Sequence, residues 1–179
     1  MKGKDMARKP KTAAYAGNAE NLYAYLLMRG DLPSLGRGKT NAHAFHAGNQ
    51  LTHDLWVVPL LAGKSPDPRV APWHAQGGGF GTAIALGSPG QITLDVIETV
   101  TAAATALGFP AGVVVDTSYP YIVDSEMFAL VAEEHHTRAP KRIRDGWLCC
   151  RTETTAAWIM GDKDELRVLL ARFDLAPND

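Results

Sequence analysis

The chain has 179 residues, of which 46% are hydrophobic and 21% charged, and its formal net charge is −1 at pH 7. This composition is typical of one globular domain and excludes a disordered chain, a collagen and a coiled coil. No apolar run reaches the roughly 18–20 residues of a membrane-spanning helix, and the charged N-terminus lacks the apolar core of a signal peptide. Cys149 and Cys150 are adjacent, so a disulfide between them would be strained, and a reducing, cytoplasmic location is expected.

The first part of the chain predicts a basic arm, a buried strand and a helix. Residues 1–20 show no periodicity and carry five lysines and arginines among the first 11 positions, so we interpret them as a flexible arm. The remaining residues, 21–179, are expected to form a single domain. Residues 21–29 are apolar and aromatic, which is typical of a strand buried on both faces. After a glycine-rich loop at 30–38, residues 39–58 follow helical spacing.

The middle of the chain predicts a long loop, two strands and a helix between them. Residues 62–79 hold three prolines and four glycines, which favours a loop, and residues 80–86 follow as the second strand. The segment Ser88-Pro89-Gly90-Gln91 has the pattern of a capping box, and the helix it begins is expected to end at Gly108. Residues 112–116 form a short apolar run and predict the third strand.

Residues 117–146 are the least regular part of the sequence. Within them, residues 124–135 have the composition of a helix, and residues 137–146 are interpreted as a basic loop. Two strands are expected at 147–151 and 154–160, and Asp162 with Glu165 repeats the capping pattern before a last helix. The order of elements predicts an α/β fold, a three-layer α/β/α sandwich around a mostly parallel, mixed sheet of four to five strands.

Two places at the edge of this sheet are candidates for chemistry. In open α/β sheets, ligands bind outside the carboxyl ends of the parallel strands. This rule selects the loop where Gly36-Arg37-Gly38-Lys39 leads into the first helix, and Asp116 at the end of the third strand. Glycines let backbone N–H groups approach an anion, and a lysine adds positive charge. Because the full spacing of a phosphate-binding loop is absent, a nucleotide hydrolase is not expected.

Three short motifs connect the chain to a known family. The segments Met28-Arg29-Gly30-Asp31-Leu32, Gly36-Arg37-Gly38-Lys39 and Ala42-His43-Ala44-Phe45-His46-Ala47 resemble the signature of the type II peptidyl-tRNA hydrolases of archaea and eukaryotes. That signature reads roughly R-x-D-L, then G-K-G-K, then A-A-Q-x-x-H-A. The resemblance covers residues 22–120 and 147–175. The chain departs from the family at His43, usually a glutamine, and at Pro120, usually a threonine, and residues 121–146 are an insertion.

The resemblance implies hydrolysis of the ester that joins a peptide, or an N-blocked amino acid, to the 3′ end of tRNA, which recycles peptidyl-tRNA in translation. It implies no cofactor, and it implies that two copies can pair as a homodimer. The residues assigned to catalysis are Lys39, Asp116, Thr155 and His43. The residues assigned to substrate binding are Arg29, Asp31, Arg37, Gly38 and His46. Although His43 and His46 have the spacing of two metal ligands, no third ligand is placed beside them, so no metal is assigned.

Each catalytic assignment has an ordinary structural alternative. Lys39 would supply positive charge to an oxyanion or a phosphate, or is a solvated lysine of the first helical turn. Asp116 would orient a water or pair with Lys39, or caps the following loop. His43 would act as a base or a donor, or lies on the surface. Thr155 would donate to the substrate or to Asp116, or is a threonine of high strand propensity; His46 is alternatively a packing residue against the sheet.

Two further functions fit the same sequence. The fold can hold a tRNA end or a protein terminus without cleaving it, as the proline at position 120 and the insertion indicate. Alternatively, the insertion folds over the crevice as a lid, and the protein hydrolyses a related acyl bond in a small substrate. Two basic clusters, at residues 1–11 and 138–144, are expected either to contact phosphates or to remain solvated.

Overall fold

The computed structural model describes residues 14–32, 37–87, 90–130 and 136–175. Its strands are β1 (Leu22–Met28), β2 (Ala83–Leu86), β3 (Ala111–Val123), β4 (Arg138–Ile143) and β5 (Gly146–Asp162). Its α-helices are α1 (Arg37–Thr52), α2 (Val58–Leu61), α3 (Val70–His74), α4 (Leu94–Ala106), α5 (Ser125–Phe128) and α6 (Lys163–Leu170). Short 3₁₀ turns occupy Ala19–Asn21 and Gln76–Gly78, and a π-helical turn occupies His53–Val57.

All five strands belong to one mixed sheet with the order β2–β1–β5–β3, and β4 pairs with the first part of β5. β1 and β2 are parallel, whereas β5 is antiparallel to β1, β3 and β4. Four strands therefore run in one direction, and the long central strand opposes them. The predicted α/β fold with a mixed sheet is confirmed, but most of its hydrogen-bonded pairs are antiparallel because the reversed strand lies in the middle.

A hydrophobic core lies on each face of the sheet. On one face, Leu26 packs in a cluster with Leu51 of α1 and with residues of α3. On the other face, Leu27 packs in a cluster with Ile97 of α4 and Leu166 of α6. Neighbouring residues of a strand point to opposite faces, so β1 is buried on both sides, as its apolar sequence predicts. The layers form the predicted α/β/α sandwich.

The first helix is longer than predicted and contains a local adjustment. It begins at Arg37 and continues through the π-helical turn and α2 to Leu61. Pro59 lacks an N–H group and cannot bond to the carbonyl four residues before it. That carbonyl, of Leu55, accepts instead from the N–H of Asp67 at 2.9 Å. The π-helical turn thus lets the chain pass through a proline without leaving a carbonyl unpaired.

Several predicted boundaries need correction. The helix α4 begins at Leu94 with Thr93 as its N-cap, not at the predicted capping box, of which residues 88–89 lie outside the described residues. The predicted loop at 62–79 contains α3 and a 3₁₀ turn. The cap at Asp162 is confirmed, since its side chain accepts from the N–H groups of Asp164 and Glu165.

The predicted arm is attached to the domain from Tyr15 onwards. Tyr15 packs against the core on the α1 face, and the side chain of Gln76 donates to the carbonyl of Ala19. Burial and the nearby carboxylate of Asp162 raise the pKa of Tyr15. The described part of the predicted arm thus contacts the domain, and residues 1–13 lie outside the described residues, so the flexible arm at 1–20 stays a prediction.

The region predicted as a helix and a basic loop instead extends the sheet. β3 spans 13 residues because residues 119–123 continue to pair with β5. Residues 138–143 form β4, and the two strands predicted after it are one strand, β5. Of the predicted helix at 124–135, only α5 is present in the described part, and residues 131–135 lie outside it. We call residues 119–123 and 138–151, which include the turn between β4 and β5, together the ribbon.

The turn into β5 requires a glycine at position 146. Gly146 has a φ of 143°, and a Cβ there would collide with the carbonyl of Val123. Glycine is the residue that adopts this conformation without strain. It lets β4, β5 and the end of β3 lie side by side at the start of the ribbon.

Candidate active site

Lys39 and His43 lie on successive turns of α1 and contact β3 where that strand passes the end of β1. Met28 of β1 and Val114 of β3 both pair with Ala156 of β5. Asp116, two residues further along β3, therefore lies just beyond the carboxyl end of β1. This is the edge of the sheet at which the sequence predicts chemistry, and the structure brings Lys39, His43 and Asp116 together there.

Two bulges, the first in β5 and the second in β3, shape the pairing of these strands at this point. The pairing of β3 with β5 shifts between Val114 and Val115 and again between Asp116 and Tyr119. Bulges bend a strand and redirect side chains, and they are frequent beside active sites. In the second bulge, Asp116 Oδ1 accepts from the N–H of Ser118 at 2.8 Å. This bond fixes the carboxylate, whose other oxygen faces His43.

The amine of Lys39 is held against β3. Its Nζ donates to the carbonyl of Pro120 at 3.1 Å and lies 4.9 Å from the centre of the Tyr119 ring. Burial lowers the pKa of Lys39, while the nearby carboxylate of Asp116 acts in the opposite direction. Pro120 stands where the resembled family has a threonine, and here it contacts Lys39 through its backbone oxygen.

His43 is almost fully buried within the site. Only 3% of it is exposed, and its ring centre lies 5.9 Å from that of Tyr119. Burial lowers the pKa of His43, against the raising effect of Asp116, so the imidazole is neutral near pH 7. Nε2 lies 3.9 Å from Asp116 Oδ2, and Nδ1 is buried without a hydrogen-bond partner in the described part of the chain. A neutral imidazole beside a carboxylate can accept a proton.

A groove of about 440 Å³ runs along α1 and β3 beside these residues. Its lining residues are His46, Asn49, Gln50, His53, Val114 and Val115. His46 is exposed, with its ring centre 6.2 Å from that of His43, so the alternative of a packing residue is wrong. The groove therefore offers imidazole and amide groups along one wall and apolar strand residues along the other.

Arg29 and Asp31 are bound to each other. Arg29 Nε and Nη2 each donate to one oxygen of Asp31 at 2.8 Å. Arg29 Nη1 donates to Glu153 at 2.5 Å and to the carbonyl of Thr154 at 2.8 Å. Arg29 is buried, and its guanidinium lowers the pKa of Asp31. These contacts connect the end of β1 to β5 and engage four of the five N–H donors of Arg29.

The other predicted residues lie in different surroundings. Thr155 is fully buried, and its hydroxyl donates to the carbonyl of Val114 at 3.5 Å rather than to Asp116. Gly38 lies in the exposed first turn of α1, with open space where a Cβ would point. The side chain of Arg37, at the start of α1, lies outside the described part of the structure.

Sequence reasoning missed Tyr119 and part of the groove. Tyr119 is fully buried and lies against both Lys39 and His43; it was missed because residues 117–123 do not have the pattern of a strand. Asn49, Gln50 and His53 share a helix face with His46, since they follow it by three, four and seven residues. That spacing was a usable signal for the groove.

Within residues 14–32, 37–87, 90–130 and 136–175, no three His, Cys, Asp or Glu side chains are placed to hold a metal ion together. In the same ranges, no helix has the length and apolar character needed to cross a membrane. Compared with models of known protein families and with curated proteins, the chain has no match.

Proposed function

We propose that this protein hydrolyses the ester between a peptide, or an N-blocked amino acid, and the 3′ end of tRNA. The observation that supports this most directly is the convergence of Lys39, His43 and Asp116 at the carboxyl edge of the sheet. Ester hydrolysis by water needs a group that accepts the water's proton and a positive charge or donor for the oxyanion. The site offers both, and the motif resemblance at residues 28–47 supplies the substrate class.

Each residue has a distinct role in this proposal. The neutral imidazole of His43 takes a proton from the attacking water and returns it to the departing 3′ oxygen of the ribose. The carboxylate of Asp116 orients that water beside Nε2 of His43 and stabilises the charged form of the imidazole. The ammonium of Lys39 stabilises the oxyanion as the water adds to the ester carbonyl. The groove beside His46 receives the peptide, whose backbone can bond to the amides of Asn49 and Gln50.

The test is cleavage of an N-acetylated aminoacyl-tRNA by the purified protein. Lys39→Ala removes the proposed oxyanion contact and should lower kcat by about 10²–10³. Lys64→Ala is the matched control, because Lys64 is an exposed lysine in the loop after α2. The expected result is release at similar rates by the wild type and the control, and release at least about 100-fold slower by Lys39→Ala. A folded wild type that releases nothing would contradict the proposal.

A second candidate is binding of a tRNA end, or of a protein terminus, without cleavage. Two observations favour it: the His43–Asp116 separation of 3.9 Å exceeds a hydrogen bond, and the hydroxyl of Thr155 is turned into the core. Stable binding of the acylated tRNA with no release would support this candidate. Cleavage of a short acyl ester alone would support the third function, hydrolysis of a small acyl substrate.

A further inference from the structure

The ribbon and its flanks carry a concentration of positive charge that the proposed ester hydrolysis does not use. Residues 136–151 contain five arginines and lysines and one acidic residue, in a chain whose net charge is −1. Four of these cations are exposed: Arg138, Lys141, Arg142 and Arg144. None of the four forms an ion pair within the part of the chain that the structure describes. Such a cluster attracts a polyanion.

The strand register places these cations beside the candidate site. Arg138 of β4 and Pro120 of β3 flank the same residue of β5, Cys150. Because neighbouring strands are about 4.8 Å apart, the backbones of Arg138 and Pro120 are separated by about 10 Å. Pro120 is the residue whose carbonyl binds Lys39. The positive charge therefore begins at the border of the site.

The remaining cations continue the row away from the site. Lys141 and Arg142 pair with Leu148 and Trp147 of β5. These partners precede Cys150 by two and three residues, which corresponds to about 7–10 Å along the strand. Arg144 follows in the turn that ends β4. Lys141 and Arg142 are consecutive and point to opposite faces of the ribbon, so the four cations form a track along β4 that leads outward from the site with side chains on both faces.

Aromatic rings stiffen this track. The guanidinium of Arg142 lies 5.8 Å from the centre of the Trp147 ring, and Phe128 of α5 stacks on that ring at 4.2 Å. The guanidinium of Arg151 lies 5.0 Å from the centre of the Tyr121 ring. Cation–π contacts and stacked rings limit the motion of the strands and of Arg142. Arg142 is thereby held over a packed aromatic surface.

We propose that the ribbon binds the RNA backbone adjacent to the 3′ end, through Arg138, Lys141, Arg142 and Arg144. A nucleic-acid backbone carries one negative charge per nucleotide along a line, which matches a linear row of cations better than a compact acidic protein surface does. The inference rests on the proposed function in one respect: that function places the 3′ end of the RNA at Lys39. Binding of RNA to the ribbon can nevertheless be measured without any cleavage.

The experiment compares two variants that lose the same charge in different places. The ribbon variant replaces its exposed cations with glutamine: R138Q, K141Q, R142Q and R144Q. The matched control removes four exposed cations elsewhere: K64Q, K163Q, R167Q and R172Q. Circular dichroism and thermal unfolding verify that each variant folds. If the quadruple ribbon variant does not fold, the double variants R138Q/K141Q and R142Q/R144Q replace it.

The measured quantity is the Kd of fluorescently labelled, deacylated tRNA, obtained by anisotropy between 50 and 200 mM KCl. Each lost phosphate contact should lower the slope of log Kd against log salt by about 0.7–0.9, hence by about 3 for four contacts. We expect the ribbon variant to bind at least about tenfold more weakly and the control to bind like the wild type. Equal weakening in both variants, or no binding by the wild type, would overturn the inference.

Cleavage assays separate this inference from the proposed function. If neither the wild type nor the variants cleave peptidyl-tRNA, and the ribbon variant alone loses tRNA binding, the inference stands and the proposed hydrolysis is wrong. If the wild type cleaves and the ribbon variant keeps its KM and Kd, the hydrolysis stands and the inference fails. If the ribbon charges support binding to anionic lipid vesicles and not to tRNA, the inference is also overturned.

Discussion

Two polar clusters, one around Arg29 and one around Lys39, lie at the same edge of the sheet. They differ in how many of their buried polar groups are hydrogen-bonded. Arg29 makes four hydrogen bonds of 2.5–2.8 Å to Asp31, Glu153 and a backbone carbonyl. In the other cluster, His43 and Asp116 are 3.9 Å apart, and a buried nitrogen of His43 has no partner in the described part. A fully bonded buried charge fixes the local structure, whereas an underbonded site retains groups that can act on a ligand.

The largest effect is expected from breaking the bonded cluster. Arg29→Met leaves Asp31 without its cation and leaves Glu153, which is only 12% exposed, paired with Arg151 alone. Removing one partner of a buried ion pair costs about 3–5 kcal/mol, so urea unfolding should show a loss of this size. The control Arg167→Met, at an exposed position of α6, should change the free energy of unfolding by less than about 0.5 kcal/mol. A loss below about 1 kcal/mol in Arg29→Met would remove the contrast between the clusters.

Asp116→Asn should act on the reaction and leave stability almost unchanged. The amide oxygen can still accept from Ser118, but the charge beside His43 is lost, so kcat should fall at least about 100-fold. The free energy of unfolding should change by less than about 1 kcal/mol. Peptidyl-tRNA cleavage and urea unfolding are measured on the same sample, with Asp95→Asn on α4 as the exposed control. A large loss of stability would instead give Asp116 a structural role like that of Arg29.

The buried imidazole should make stability fall in mild acid. Burial holds the pKa of His43 in the folded state below its ordinary value of 6.5. Below pH 6.5 the unfolded state therefore takes up the proton first, so the free energy of unfolding decreases as the pH falls towards the folded-state pKa. The free energy of unfolding, measured in urea at pH 7.5 and at pH 5, should differ less between the two pH values in His43→Gln than in the wild type. The exposed control His53→Gln should keep the wild-type difference, and an unchanged difference in His43→Gln would contradict this account.

The smallest effect is expected at Thr155. Its fully buried hydroxyl makes one long bond, to the carbonyl of Val114, so Thr155→Val should cost about 1 kcal/mol or less. Cleavage by this variant should stay within about threefold of the wild type (about 0.6 kcal/mol in activation energy). Thr155→Ser, which keeps the hydroxyl, is the matched control. A hundredfold loss in the valine variant alone would restore the catalytic role that the sequence assigns to Thr155.

The sequence predicts the elements whose burial follows a simple pattern. β1 is apolar on both faces because helices cover both, and α4 and α6 show helical spacing because each buries one face. β4 was missed because its charged residues carry no alternation of apolar and polar positions. Its order comes from backbone pairing with β5, which a local pattern does not encode.

The position of the candidate site was also predictable from local sequence patterns. Lys39 and His43 are one helical turn apart, and Asp116 ends an apolar run, so their meeting at one edge follows from the fold class. The bonded state of Arg29 was not predictable, because Glu153 lies 124 positions further along the chain. The position of Tyr119 depends on a bulge between β3 and β5, which only the paired strands reveal.

The uninterrupted course of β5 has a mechanical consequence. Its first residues pair with β4 and its last residues with β1, while β3 pairs along nearly its whole length. Between Cys150, where the β4 ladder ends, and Ala156, where the β1 ladder begins, β3 continues to pair with β5, so the ribbon is joined to the rest of the sheet through β3 and β5. A force applied to the ribbon would pass along the backbone into the strand at the centre of the sheet. Under the proposed function, an incoming RNA would therefore be positioned against these two strands, β3 and β5.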